Sequence, residues 1–242
     1  MDREYVQWYS PILHKNMEML VFGYGGAAVL FFPARMGRFY DYENWRVIEA
    51  MRDKIEKGYI QVYCVDSFDC ESLYSSGFHP SVKIMRHIQY EQYILQEVIP
   101  FIEKKNPGSF KIAAGCSLGA YHAVNISFRH PDIFNKVIGM SGRYDIATKI
   151  GHYEDLLEGY WDENVYFNMP MQYIPNLNDA DKLLDMKQLE VVLAIGQEDV
   201  LLDNNRALTQ ILTEKGVNTS LYIWDKEAHQ ARSWRQMVAN YL

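Results

Sequence analysis

Residues 111–122 read Lys-Ile-Ala-Ala-Gly-Cys-Ser-Leu-Gly-Ala-Tyr-His. They constrain the chain more than any other stretch. A short apolar run enters a Gly-x-Ser-x-Gly turn and leaves it as an alanine-containing helical pattern. Strand, sharp turn and helix are implied, with Ser117 at the apex. A serine raised above the end of a strand sits in a strained backbone conformation, and neighbouring side chains collide as strand and helix close on each other. Gly115 and Gly119 remove those side chains, and Ala113, Ala114 and Ala120 keep the surroundings small. The helix N-terminus beneath the serine favours developing negative charge. The five-residue pattern alone is weak, because a turn serine that caps a helix produces it as well. The flanking strand and helix patterns give it weight.

The rest of the chain alternates in the same way. Apolar runs at 27–32, 59–65, 111–116, 136–140, 191–195 and 220–224 read as strands, most of them buried on both faces. Two earlier strands are expected at 4–9 and 17–24. Helical spacing is read at 41–57 with Asp41 as its cap, at 88–105, behind Ser117 to about Arg129, at 204–215 and at 230–241. Alternation of this kind predicts an α/β fold, a mostly parallel central sheet with helices on both faces. At 242 residues, 48% of them hydrophobic, the chain suits one domain over 1–242. Residues 143–188 depart from the pattern. They are weakly periodic and rich in aromatics, among them Tyr144, Tyr153, Trp161 and Tyr173. They are expected to form either a cap-like excursion beside the site or surface packing.

A serine hydroxyl needs a base in reach, and the base needs a partner that fixes its tautomer. For a serine on a strand-to-helix turn, the partners follow in the order acid, then histidine, each beyond the carboxyl end of a strand. Of seven histidines, only His229 follows the last strand and precedes the terminal helix. His14, His79, His87, His122, His130 and His152 are read as surface, capping or packing residues, with His87 just ahead of the long helix. Asp199, in Gly-Gln-Glu-Asp after the 191–195 strand, is the expected acid. Asp203 is its rival, read as the cap of the next helix. Glu198 points elsewhere, and Asp225 follows the wrong strand. The oxyanion of a tetrahedral intermediate needs two donors. The backbone N–H of Leu118 is one, and the loop after residues 27–32 supplies the other, with Arg35 first and Met36 second.

With these residues in place the sequence resembles the esterase D branch of the α/β-hydrolases, which includes S-formylglutathione hydrolases, feruloyl and acetyl esterases, siderophore esterases and mycolyltransferases. The resemblance runs from Ser10-Pro11-Ile12-Leu13 and the strand after it, through the elbow and Arg129-His130-Pro131-Asp132-Ile133-Phe134. It continues at Met140-Ser141-Gly142, at Gly196-Gln197-Glu198-Asp199, and at Ala228-His229 with Trp234. It implies an α/β-hydrolase fold, with Ser117 as nucleophile, Asp199 as acid and His229 as base. One departure stands out: many relatives carry His-Gly or Ser-Gly after the early strand, and here the pair is Pro33-Ala34. The second oxyanion donor is therefore inferred from position.

The expected activity is hydrolysis of a small carboxylic ester through an acyl-enzyme, with no metal or organic cofactor. Acyl transfer, thioester hydrolysis and a non-catalytic binding domain are the alternatives. The net charge of −7 with scattered basic residues gives no nucleic-acid footprint. No run approaches the length of a membrane span. The N-terminal residues have no apolar core of signal type. Cys64, Cys70 and Cys116 have no metal-site spacing. Reduced thiols and a cytoplasmic location are the corresponding expectations.

Overall fold

The computed structural model describes residues 1–242. Eight strands form one sheet: β1 (Arg3–Ser10), β2 (Lys15–Phe22), β3 (Ala27–Phe32), β4 (Ile60–Val65), β5 (Lys111–Cys116), β6 (Lys136–Met140), β7 (Glu190–Gly196) and β8 (Asn218–Trp224). Their order is β1-β2-β4-β3-β5-β6-β7-β8. β1 and β2 run antiparallel, and all pairs from β4 to β8 are parallel. The expected α/β class and mostly parallel sheet are therefore present. Strand side chains alternate between two cores. Along β3, Leu30 and Phe32 join the core on one face, while Val29 and Phe31 join the other. Burial on both faces explains why these strands read as continuous apolar runs.

Helices cover both faces. α1 (Asp41–Asn44), α2 (Val47–Ala50), α3 (Arg52–Glu56) and the terminal α11 (Ala231–Tyr241) pack on one side. α4 (Pro80–Tyr93), α5 (Ile99–Lys105), α6 (Leu118–Arg129), α8 (Pro170–Asn176), α9 (Ala180–Gln188) and α10 (Leu202–Glu214) pack on the other. The short α7 (Glu163–Phe167) precedes α8.

Three expectations need correction. The helix expected at 41–57 is three short pieces, because Arg46 takes a left-handed conformation (φ 57°) and Met51 leaves helical geometry. Asp41 does not cap it. Tyr40 holds that position, and the Asp41 carboxylate accepts the Arg38 N–H (2.9 Å). The helix expected from 88 starts at Pro80, with proline in the first turn and His79 capping it, so His87 lies inside the helix and is buried. Its continuity past Tyr93 depends on a π-helical turn over Ile94–Val98. That turn absorbs Pro100, which cannot donate to the preceding turn.

Residues 143–188 serve two purposes. Tyr173, Ile174 and Met186 join the large core under α10. Ile146, Leu157, Val165 and Met169 form a smaller apolar cluster with Leu118 and Tyr121 of α6 and Ile84 of α4. No helix is long and apolar enough to cross a membrane. All three cysteines are free thiols, and Cys64 and Cys116 are buried.

Candidate active site

The chain leaves β3 toward β4 on one side and later places β5 on the other side of β3. The carboxyl ends of β3 and β5 therefore flank the point where the winding reverses, the place where open α/β sheets form crevices. Register brings Phe32 level with Gly115 and Cys116 level with Met140. The loop after β3 and the turn after β5 are thereby neighbours.

Ser117 caps the gap between β5 and α6 with φ 57° and ψ −119°. Its N–H donates to Met140 O (2.8 Å), which holds the strained residue from below. Both flanking glycines have the steric role expected of them. A Cβ on Gly115 would lie 2.2 Å from the backbone of Gly119, and one on Gly119 would lie 2.3 Å from the Phe32 carbonyl oxygen. A third support comes from Tyr42 in α1. Its hydroxyl donates to Phe32 O (2.7 Å) and accepts the Cys116 N–H (3.0 Å), tying β3 to β5 directly under the turn.

The other two predicted side chains arrive from β7 and β8. His229 Nε2 lies 3.0 Å from Ser117 Oγ, and His229 Nδ1 lies 2.8 Å from Asp199 Oδ2. Asp199 is buried, and its second oxygen accepts the Leu201 N–H (2.9 Å). Asp203 stands apart: its side chain is 92% exposed and pairs with Arg206. It does not cap α10, whose N-cap is Leu201 without a side-chain bond. The histidine loop is pressed against the acid loop, since a Cβ on Gly196 would lie 1.9 Å from Glu227 O. Ser141, after β6, donates to Ala228 O (3.2 Å) and accepts the Trp234 indole N–H (3.1 Å). The first bond anchors Ala228, which precedes His229 and carries a positive φ of 52°, and the second ties Ser141 to the terminal helix.

The two expected oxyanion donors border the same cleft, of about 300 Å³, as Ser117 and His229. Leu118 opens α6, so its N–H has no carbonyl one turn back in the helix. The Arg35 N–H has no acceptor within the chain, whereas the Met36 N–H donates to Asp69 Oδ2 (2.9 Å). Met36 is thus committed elsewhere, and Arg35 keeps a free donor. Asp69 was not anticipated from sequence. Its other oxygen lies 3.1 Å from Nε2 of His122 on α6, and both side chains are buried. The pair joins the loop after β3 to the helix behind Ser117. Arg143, Tyr74 and Tyr153 were likewise unassigned and line the cleft. Tyr153 stacks on His229 at 6.0 Å, its hydroxyl 3.4 Å from Nε2.

A family model described as "Putative esterase" matches residues 42–237, which spans most of the chain and every residue just named from Tyr42 onward. The chain belongs to this esterase family. Solved structures similar to the esterase include a ferulic acid esterase at 20% identity, with TM-score 0.79 over 100% of this chain and 96% of that one. An S-formylglutathione hydrolase from Agrobacterium tumefaciens aligns at 14% identity and TM-score 0.78, covering 99% and 92%. The fluorophosphonate-binding serine hydrolase F of Staphylococcus aureus aligns at 16% and 0.72, covering 98% and 95%. At these identities the likeness establishes the α/β-hydrolase fold. A search of curated proteins by sequence finds no match.

Proposed function

We propose that this esterase hydrolyses a small carboxylic ester through Ser117, His229 and Asp199, by way of an acyl-enzyme. The observation that carries the reading is the continuous hydrogen-bond relay, 3.0 Å from Ser117 Oγ to His229 and 2.8 Å from His229 to Asp199, on a positive-φ turn at the mouth of a cleft. His229 Nε2 takes the Ser117 proton as Oγ attacks the ester carbonyl. Asp199 holds the Nδ1–H and balances the charge that the ring acquires. The N–H groups of Leu118 and Arg35 stabilise the oxyanion. The intermediate collapses as His229 returns the proton to the leaving alkoxide, which departs as the alcohol. Water, activated by the same histidine, then releases the acid. No step calls for a metal or an organic cofactor.

The test is hydrolysis of short p-nitrophenyl esters by wild type and by Ser117→Ala at matched folding, together with labelling by a fluorophosphonate. Loss of the nucleophile is expected to lower kcat by about 10⁴-fold or more and to abolish labelling. Turnover that survives the substitution overturns the assignment of Ser117. Wild type that neither turns over nor labels favours a binding domain. An ester product formed when an alcohol is added would move the reading toward acyl transfer.

A further inference from the structure

We propose that the cleft beside Ser117 recognises a carboxylate on the substrate through Arg143 and Arg35, so that the preferred ester is an anionic one. The inference rests on the serine-esterase reading and adds a substrate class to it.

The charge distribution is the first ground. The whole chain carries −7. Yet among the ten residues that line the cleft, two are arginines, two are histidines and none is Asp or Glu. A cleft that opposes the sign of its own protein is complementary to anions.

Arg143 is the second. It follows β6 and is only 4% exposed. Its Nε donates to Asp145 O (2.7 Å) and one terminal nitrogen, Nη2, to Thr148 O (2.8 Å), both neutral carbonyls. The other, Nη1, is buried with no acceptor in the chain. No carboxylate forms an ion pair with this guanidinium. The nearby acids are committed to backbone amides: Asp145 accepts the Ala147 N–H (3.0 Å), and Asp155 accepts those of Leu157 (2.8 Å) and Gly159 (2.7 Å). Asp199 is held by His229. A buried cation with no carboxylate in direct contact is costly. Burial accordingly lowers the proton affinity of Arg143, against the pull of Tyr74, Asp145 and Asp155. The two backbone bonds fix the guanidinium in advance, which suits it to a planar carboxylate.

Arg35 supplies the more exposed cation. It makes no ion pair, and its guanidinium lies 5.6 Å from the ring of Tyr74. Arg143 lies 5.8 Å from the ring of Tyr153 in the same way. Aromatic faces steady both cations without neutralising them.

The experiment compares charged and neutral partners at low ionic strength. Mono-4-nitrophenyl adipate against 4-nitrophenyl hexanoate places the charge on the acyl side. The pair 4-acetoxybenzoate and 4-acetoxybenzamide places it on the alcohol side. Wild type should favour the anion in kcat/KM by about tenfold or more in at least one pair, with the preference shrinking as salt rises. The ratio should fall toward one in Arg143→Gln and in Arg35→Gln. Because Arg143 also ties its own loop, Arg143→Lys serves as a second variant, expected to keep part of the preference without the fork. Calorimetric binding of 4-acetoxybenzoate and 4-acetoxybenzamide to Ser117→Ala gives a readout independent of turnover, and it should favour the carboxylate. Ratios at or below one in both pairs, or a preference that survives both arginine substitutions, overturn the proposal. Carboxylate-selective binding without any turnover would retain this subsite and remove the esterase mechanism instead.

Discussion

Asp199, in the loop after β7, and Asp203, in the first turn of α10, are four residues apart, and the chemistry assigned to them differs because their surroundings do. Asp199 is buried with one oxygen on His229 and the other on a backbone amide, while Asp203 points into solvent. Asp199→Asn would keep the size but place an amide where the imidazole N–H now donates, favouring the wrong tautomer of His229. A loss in kcat of about 10³–10⁴-fold is expected, read in the same p-nitrophenyl assay, with the folded far-UV spectrum retained. Asp203→Asn should leave kcat within twofold. Equal effects of the two substitutions would mean that the acid has been misassigned. Ser117 and Asp199 were legible because each follows a buried apolar strand whose end can be read from the sequence, and His229 because it alone lies between the last strand, β8, and the terminal helix. Asp69 and Arg143 were not. Their meaning depends on partners distant in the chain, His122 for Asp69 and the unassigned cleft for Arg143, and no periodicity announces such a pairing.

The loop after β3 shows how an element can be held in place by one side chain. Met36 has a positive φ of 54°, and its N–H is fixed by Asp69, which in turn contacts His122 on the helix behind Ser117. Asp69 therefore links the residue next to Arg35 with the element that carries Leu118. Asp69→Ala leaves buried His122 without its partner, at a cost of about 1–3 kcal/mol, frees the partly buried Met36 N–H, and loosens the expected oxyanion site. A drop in kcat of about 10–100-fold with a smaller change in KM is the expected signature, since the oxyanion forms only after binding. Asp69→Asn keeps one carbonyl acceptor and should recover part of that loss. If KM rises and kcat holds, the loop positions substrate instead. At this scale the sequence was legible where a strand is buried on both faces, as in β3 to β7, and less so elsewhere. The break at Arg46 depends on a left-handed residue that is not glycine. The early start of α4 lies in a His-Pro pair that also reads as a loop end. In residues 143–188 the helices pack partly on the sheet core and partly on α4 and α6, so no single face repeats.

Across the whole molecule, the helical face that braces the loop after β3 is also where acid should act first. His87 of α4 is buried beside His122, Tyr121 and Asn125, and its Nδ1 has no partner. Burial, with the neighbouring His122, pulls its pKa from 6.5 down to about 3. Glu91 on the same helix faces opposing influences: burial raises its pKa, but His130 and Arg129 outweigh that and hold it below 4.5. The sign is the same for both. Between about pH 6.5 and 3 the unfolded chain protonates His87 and the folded chain does not, so stability falls as pH falls, by up to about 1.4 kcal/mol per pH unit. The Glu91 contribution disappears only below its ordinary value. Denaturant unfolding at pH 7.5, 6.5, 5.5 and 4.5 should therefore show a decline that begins above the carboxylate range. His87→Gln should flatten the decline between 6.5 and 4.5, leaving only the carboxylate contribution that sets in toward the lowest pH. Parallel pH curves for wild type and variant would mean that the ring is solvated when folded. The consequence would reach the site, because α4 and α6 enclose His122, and His122 holds Asp69. Acid that loosens this packing would release the loop after β3 while the sheet beneath Ser117, buried on both faces, still stands.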